Sequence, residues 1–386
     1  ANPPYMGSSS FNPFMGKWMK KRYPDSCKDL CTAFIERGYS LARESGYAAM
    51  VTMQSWMFLG SFEKMRKRVI DEKTIVAMAH LGPRAFDAIG GEVVSVTADV
   101  LYNGRAAIKG AYVRLVDISG SGPKREKLLE TLTNPACGWF YRADATTFHD
   151  IPGSPIAYWA SEGLHSAFRN GKPLGNVART RQGLKTGEND RFLRCWWEIT
   201  TRKFYAAATS VMDAARSKKK WFPYNKGGLY RKWYGNREYV VNWENDGETI
   251  RHFCDSSGKL RSRPQNTDAF FSPSISWSLI SSGKPSFRYT PRGAAFDAAG
   301  SSLFSNESTM RYLQGALNST TILDVASFLS PTLTFEVGQV AVYPVLDAPQ
   351  ESEARIEMLV NECRTFSKSD WDFQETSWDF KHSPLI

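Results

Sequence analysis

Asp29-Leu30-Cys31-Thr32-Ala33-Phe34-Ile35-Glu36-Arg37-Gly38-Tyr39, closed by Ser45-Gly46 and followed by Tyr47-Ala48-Ala49-Met50-Val51-Thr52-Met53, is the stretch that decides the fold. Its first run repeats apolar residues at the three-to-four-residue interval of a helix with one buried face. Ser45-Gly46 stops that helix. The run from Tyr47 to Met53 is short and apolar, suited to a strand buried on both faces. Ser61-Phe62-Glu63 then opens a second helix, with Lys64, Arg66, Lys67 and Arg68 expected in solvent along it. Thr74 to Leu81 and Val93 to Tyr102 read as two more strands. Strands alternating with helices are the order of a parallel doubly wound sheet, so residues 1–117 read as a partial, Rossmann-like α/β core.

Near Val116 the pattern breaks. Gly120-Ser121-Gly122-Pro123-Lys124 reads as a turn-rich loop, and residues 118–178 as an irregular connecting region. From 179 to 348 short strands alternate with Gly, Pro and Asn turns, the pattern of an α+β second domain. Within it Thr309 to Phe328 has helical spacing and Thr334 to Val345 reads as a terminal strand pair. Residues 349–386 form a polar tail with one helix through Cys363.

A chain of 386 residues, 42% hydrophobic and 23% charged, has the length and composition for two ordinary globular domains. No stretch approaches the ~20 apolar residues of a membrane helix. No basic-then-apolar leader is visible at the start. Of the six cysteines only Cys27 and Cys31 are close, and a lone C-x-x-x-C lacks the second ligand pair of a zinc site. Both read as small core residues sharing a helix face. The five histidines are isolated in sequence and read as surface or core residues. These features describe a reduced, cytoplasmic protein with neither membrane span nor metal.

Charge is unevenly placed. The net charge is +10, yet the segment from Asn176 to Ala294 alone holds 22 Lys plus Arg against 10 Asp plus Glu. A polyanion-binding module joined to a near-neutral one fits that asymmetry. The densest part runs from Arg216 to Arg237, with eight basic residues, including Lys218, Lys219, Lys220, Lys226, Arg231, Lys232 and Arg237, and no acid. Trp221, Phe222, Tyr224, Tyr230, Trp233 and Tyr234 interleave with them. Aromatics inside with cations outside satisfies both a core and a DNA-facing surface. Lys259, Arg261, Arg263, Lys284, Arg288 and Arg292 extend the basic surface in sequence. Earlier in the same segment, Gly183-Leu184-Lys185-Thr186-Gly187-Glu188-Asn189 places donors on Lys185, Thr186 and Asn189 between glycines that let a backbone approach phosphates. A hairpin turn with solvated charges is the alternative reading there.

Asn2-Pro3-Pro4-Tyr5 carries the chemistry. The lone pair of a base's exocyclic amine is delocalised into the ring. A site that accepts hydrogen bonds from the amine hydrogens favours a more tetrahedral nitrogen. The Asn2 side-chain carbonyl and the Pro3 carbonyl can do this, since a proline has no N–H to compete. Consecutive prolines stiffen the loop, and Tyr5 offers a face on which an extruded base can stack. No nucleophile is required. A simple turn is the alternative, because Asn-Pro and Pro-Pro both punctuate chains.

With Asn2-Pro3-Pro4-Tyr5-Met6-Gly7, Phe11-Asn12-Pro13-Phe14, Met53-Gln54-Ser55-Trp56-Met57-Phe58, Ala79-His80-Leu81-Gly82, Trp221 to Gly228, Gly235 to Glu244 and Glu375 to Phe380, the whole chain resembles the PglX family. These are adenine-specific methyltransferases of bacterial BREX phage-defence systems, related to type IIG restriction–modification enzymes. The resemblance implies that Asn2, Pro3, Pro4 and Tyr5 hold the target adenine, that Phe86 is the second aromatic against the flipped base, and that 179–348 is a DNA target-recognition domain. It implies S-adenosyl-L-methionine (SAM) as methyl donor, double-stranded DNA as substrate, and other defence proteins as partners. A non-enzymatic DNA-binding module, or a subunit borrowing a SAM domain from another chain, remains open, as does an RNA-modifying methyltransferase. No P-D-x-E-x-K nuclease pattern occurs.

In that family the SAM-binding half precedes the N-P-P-Y motif, and here only Ala1 stands before Asn2. Gly90-Gly91 and Gly227-Gly228 lack the preceding strand and following helix of a nucleotide loop. The expectation is a partial methyltransferase core that lacks its SAM-binding half, and a chain that alone neither binds SAM tightly nor methylates. Isothermal titration of SAM into the chain should show no heat of micromolar binding; a micromolar isotherm overturns that expectation.

Overall fold

Asp29 stands where the helical spacing begins, and its carboxylate accepts from the backbone N–H of Cys31 at 3.0 Å. That cap starts α2 (Leu30–Leu41). Asn12 caps α1 (Pro13–Arg22) in the same way, at 2.8 Å from the N–H of Met15, with Pro13 at the first helical position. Cys27 lies ahead of α2, so it does not share a helix face with the buried Cys31. The computed structural model describes residues 1–86, 94–281, 283–330 and 333–383; Gly90-Gly91 and Val93 lie outside them. Two units divide the chain, Ala1–Arg169 and the residues from Asn170 on.

The first unit continues with β1 (Tyr47–Met53), α3 (Glu63–Glu72), β2 (Thr74–Gly82), β3 (Val96–Tyr102), β4 (Gly110–Arg114), α4 (Ser121–Thr133) and β5 (Phe140–Ala143). Its strands form one sheet in the order β1-β3-β2-β4-β5. β2 and β4 are parallel, while β3 is antiparallel to both β1 and β2, and β5 is antiparallel to β4. The sheet is therefore mixed, where the alternation of elements predicts a parallel one. The β1–α3–β2 unit has the helix-length crossover a parallel return needs, and β3 then slots between those two strands in the opposite sense. Residues 118–169, expected as a connector, belong to this unit and supply β5. The expected loop at Gly120–Lys124 begins α4, whose Pro123 sits in the first turn, where a missing N–H costs nothing. Lys124 is buried there and donates to the carbonyls of Leu81 and Leu115 at the ends of β2 and β4.

One face of this sheet is covered. Ile35 of α2 and Met65 and Val69 of α3 pack with Met78 and Leu101. The other face presents Ala49, Val51, Ala77, Ala79, Ala98 and Val100 to a depression of about 580 Å³ beside Leu132 of α4. β1 is thus covered on one face only, with Tyr47 and Ala49 exposed. Arg66, expected in solvent, is fully buried. Its guanidinium donates to the carbonyls of Trp56 at 2.7 Å, Leu59 at 2.9 Å and Ser154 at 2.9 Å. Burial lowers it to about 10, which still leaves it charged at neutral pH. Arg68 instead pairs with Glu36 and Asp25.

In the second unit β6 (Lys172–Pro173) pairs with β15 (Pro344–Val345). β7 (Arg179–Arg181), β11 (Ser274–Trp277), β12 (Phe287–Thr290) and β14 (Ser302–Phe304) form an antiparallel sheet in the order β12-β11-β14-β7. β8 (Leu193–Cys195), β9 (Trp221–Asn225), β10 (Tyr239–Asn242) and β13 (Ala295–Phe296) form the other, ordered β13-β9-β10-β8. Phe222, Tyr224, Trp243, Phe270 and Phe296 fill its core. The helical spacing at 309–328 resolves into two helices, Glu307–Leu317 and Thr320–Leu329, split by Asn318-Ser319. The strand pair expected at Thr334–Val345 is instead the helix Val337–Ala341 before the two-residue β15. A capping box explains it, with the Gln339 side chain accepting from the Glu336 N–H at 3.0 Å. The tail helix runs over Gln350–Asp372, past Cys363. Arg288, expected on the surface, is buried in β12 and donates to Ser278 and Ser286 hydroxyls at 3.2 and 3.3 Å.

Asp99 on β3 lies opposite Met50 and Met78, 3% exposed, with no partner for Oδ1 among the described residues. Burial pushes its carboxyl up to about 7. The unfolded chain releases this proton near pH 4 and the folded chain holds it to about 7, so stability falls as pH rises between those values. Asp99→Asn should flatten that decline and raise stability at pH 8 by several kcal/mol, on the order of 1.4 per pKa unit. Urea midpoints of both proteins from pH 4.5 to 8 measure it; superimposable curves overturn the assignment.

Candidate functional site

Backbone hydrogen bonds position the N-P-P-Y loop. The amino group of Ala1 donates to the Ala49 carbonyl at 2.7 Å, and the Val51 N–H donates to the Ala1 carbonyl at 2.8 Å. Bonds from one residue to positions 49 and 51 are a parallel pairing, so the chain leaves Ala1 in the direction of β1, toward its carboxyl end. On the far side, Leu30 N–H donates to Met6 at 2.9 Å and Ser8 N–H to Lys28 at 2.9 Å. The loop is therefore suspended between β1 and the start of α2.

Within it Pro3 is buried, Asn2 and Pro4 are exposed and Tyr5 is half-buried. The Tyr5 hydroxyl donates to Asn2 Oδ1 at 2.7 Å and lies 3.5 Å from the Val51 carbonyl. Burial and then Cys31 push that hydroxyl up, so it remains a donor. Cys31 is itself pushed up to about 12 by burial and is no thiolate nucleophile. One Asn2 lone pair is thus taken and one is free. Phe86 lies four residues beyond the end of β2, partly exposed.

A polar relay lies at the ends of β1 and β2. His80, 3% exposed, meets the Tyr158 hydroxyl at Nδ1, 3.0 Å, and Gln54 Oε1 at Nε2, 2.9 Å. Sequence reasoning placed His80 as isolated because its partners are 78 and 26 residues away. No local signal could have found it.

In the second unit, tertiary structure divides the cations. Lys185 and Arg263 exchange backbone hydrogen bonds at 3.0 and 2.8 Å, and both are exposed, as is Arg261. Gly187, at φ +81°, lies so close to Arg261 that a Cβ would sit 2.9 Å from its backbone. Thr186 is buried and donates to Asn189 Oδ1 at 2.7 Å. Asn189 also lines a cleft of about 370 Å³ with Arg194, Glu198 and Lys226, the last resting 4.7 Å from the Tyr239 ring. Lys185, Thr186, Asn189, Lys226, Arg261 and Arg263 are brought together in this way, and Arg194 joins them unforeseen.

Other residues of the basic run face protein. Arg231 pairs with Asp370 at 2.7 Å and stacks on Trp371 at 5.2 Å. Lys232 donates to the Asn318 carbonyl at 2.7 Å. Arg237 donates to the Tyr234 hydroxyl and lies 4.5 Å from the Trp378 ring. Lys219 donates to the Arg202 carbonyl and Lys220 lies 5.7 Å from the Trp221 ring, while Lys218 is exposed.

Residues 1–86 match the family model described as Eco57I restriction-modification methylase. The adenine-specific methyltransferase PglX of Lacticaseibacillus casei (strain Zhang) is 41% identical over 393 aligned positions, which cover 100% of this chain and 32% of that protein. The adenine-specific methyltransferase BrxX of Escherichia coli O9:H4 (strain HS) is 39% identical over 391, covering 100% of this chain and 30% of that protein. The type IIL restriction–modification enzyme MmeI, solved in complex with DNA, shares the fold at a TM-score of 0.58 and 12% identity, over 100% of this chain and 51% of that one. The chain spans about a third of the length of the curated relatives it matches. The similarity to the PglX and BrxX adenine-specific methyltransferases runs along the whole of this chain.

Proposed function

We propose that this chain carries the base-gripping motif and the DNA-reading part of an adenine-specific DNA methyltransferase that acts in phage defence with other defence proteins. The observation that carries the reading is the parallel pairing of Ala1 with β1, which directs Asn2-Pro3-Pro4-Tyr5 to the carboxyl end of that strand with Asn2 exposed. An adenine swung out of its duplex donates its two amine hydrogens to the free lone pair of Asn2 Oδ1 and to the Pro3 carbonyl. Tyr5, tethered to Asn2, holds that amide in one orientation. The amine nitrogen becomes more tetrahedral and more nucleophilic. Phe86 supplies the opposite aromatic wall.

Residues 179–348 act as the target-recognition domain. The exposed Lys185, Arg261 and Arg263 meet phosphates, and the cleft of Arg194, Asn189 and Lys226 meets base edges or sugar. Arg231, Lys232 and Arg237 brace the fold instead.

Methyltransferases of this family use SAM. The described residues do not by themselves fit it: β1 runs into Gln54–Met57 and β2 ends at Gly82-Pro83, so neither supplies a glycine-rich turn before a helix N-terminus. Gly227-Gly228 follows β9 without a helix behind it. This favours, as a second reading, a chain that reads DNA and relies on other polypeptide for its methyl donor.

A duplex with the target adenine opposite an abasic site and 2-aminopurine as its stacked neighbour tests the grip. Wild-type chain should change the fluorescence on binding. Asn2→Ala and Tyr5→Ala should weaken this capture by about tenfold or more while duplex affinity stays within about twofold. Unchanged capture in both variants overturns the adenine-grip reading. For the DNA surface, Lys185→Ala, Arg261→Ala and Arg263→Ala should each lower the slope of log affinity against log salt by about one, at constant melting temperature. Arg231→Ala and Arg237→Ala should do the reverse, losing about 1 kcal/mol of stability with an unaltered slope.

A further inference from the structure

His80 is buried, and three rings surround it. Phe58 lies at 5.8 Å and Tyr158 and Trp159 at 6.1 Å between centroids. Burial first, and then the charges of Arg114 and Lys124, push the imidazole down to about 3, so it is neutral and carries one N–H. Gln54 presents its carbonyl to Nε2, which makes Nε2 the donor. Nδ1 must then accept, and the Tyr158 hydroxyl donates to it. Burial raises Tyr158 far above its ordinary value, so its proton is present. The relay therefore runs one way, from Tyr158 through His80 to Gln54.

What it joins matters. Gln54 follows Met53 directly at the end of β1, three residues past the Val51 carbonyl that Tyr5 approaches. The Gln54 N–H donates to the Ser95 carbonyl at 3.0 Å, just ahead of β3. His80 lies two residues before the end of β2, from which residues 83–86 lead to Phe86. Gly82 leaves that strand at φ +67°, where a Cβ would be 2.8 Å from Val116 Cα, so the exit has little room to shift. Tyr158 is fixed in turn by stacking on Tyr112 at 4.7 Å and 10°.

We propose that His80 is a positioning residue for the base pocket, fixing through Gln54 the separation between the β1 end that anchors Tyr5 and the β2 exit that leads to Phe86. Any buried histidine needs partners for its ring nitrogens; what points to positioning is that the Nε2 partner, Gln54, directly follows β1 while His80 itself stands near the end of β2. The inference rests on the adenine-grip reading of Asn2-Pro3-Pro4-Tyr5.

The full 386-residue chain is tested with the 2-aminopurine duplex. His80→Ala should weaken capture by about tenfold while total duplex affinity and its salt slope stay within about twofold. His80→Gln, which keeps a donor and an acceptor, should recover most of the capture. Tyr158→Phe and Gln54→Ala break the relay without removing the ring and should each reduce capture if His80→Ala does not fold. Imidazole nitrogen NMR shifts should show a single Nε2–H tautomer in the wild type and a mixture in Tyr158→Phe. The proposal is overturned if Asn2→Ala abolishes capture but the relay variants leave it intact, or if the wild type is already a tautomer mixture. Capture insensitive to Asn2→Ala sinks the grip itself and the relay's role with it.

Discussion

The N-P-P-Y loop is held at both ends by backbone hydrogen bonds, and the rest of the first unit can be understood as support for those two anchor points. One anchor is β1, which takes Ala1 in parallel register; the other is the segment before α2, which takes Met6 and Ser8. A loop with two prolines has few N–H groups with which to fix itself, so its position must be imposed from outside. Asp29 serves twice, capping α2 and bridging to Gly7. The exposed Asn2 thus gains a defined place without being buried.

Around the carboxyl ends of the strands, three buried polar side chains do what apolar packing cannot. Arg66 gathers the carbonyls of Trp56, Leu59 and Ser154 with no carboxylate partner of its own among the described residues. Lys124 ties the ends of β2 and β4 together, and His80 links Gln54 to Tyr158. Turns have no ladder to satisfy their carbonyls, and a buried unsatisfied carbonyl costs about 1–3 kcal/mol. A cation with several fixed donors offsets that cost and sets geometry at the same time. On the opposite face of the sheet, where the strands present small apolar residues, no such polar device occurs among the described residues.

In the second unit the same economy separates cations by role. Arginines that meet an aromatic ring and an acid, such as Arg231 between Trp371 and Asp370, are partly shielded from solvent and directional. Lys185, Arg261 and Arg263 project from loops that approach within van der Waals limits at Gly187, leaving their charges to solvent. A run of basic residues in sequence is therefore a poor guide to a basic surface. Its members are divided by which of them meet a ring, an acid or a carbonyl elsewhere in the fold.

Much was legible in the sequence alone. α2, β1 and β2 fall where helical spacing, Ser45-Gly46 and the apolar runs put them, because local propensity and burial agree there. The chemistry proposed for Asn2-Pro3-Pro4-Tyr5 rests on residue type alone, since a stiff, carbonyl-rich loop needs no partner to be recognised. The sense of β3 was not legible, because strand direction depends on which neighbour a strand finds, not on its own residues. Nor was the helix at 337–341, where a Glu336–Gln339 cap outweighs β-branched valines. The burial of Arg66, Arg288 and His80, and the division of the basic run, were decided by tertiary structure alone. A charged or titratable group has no preferred depth of its own; partners elsewhere in the chain, Ser154, Tyr158 and Gln54 lying 88, 78 and 26 residues from Arg66 and His80, give it one.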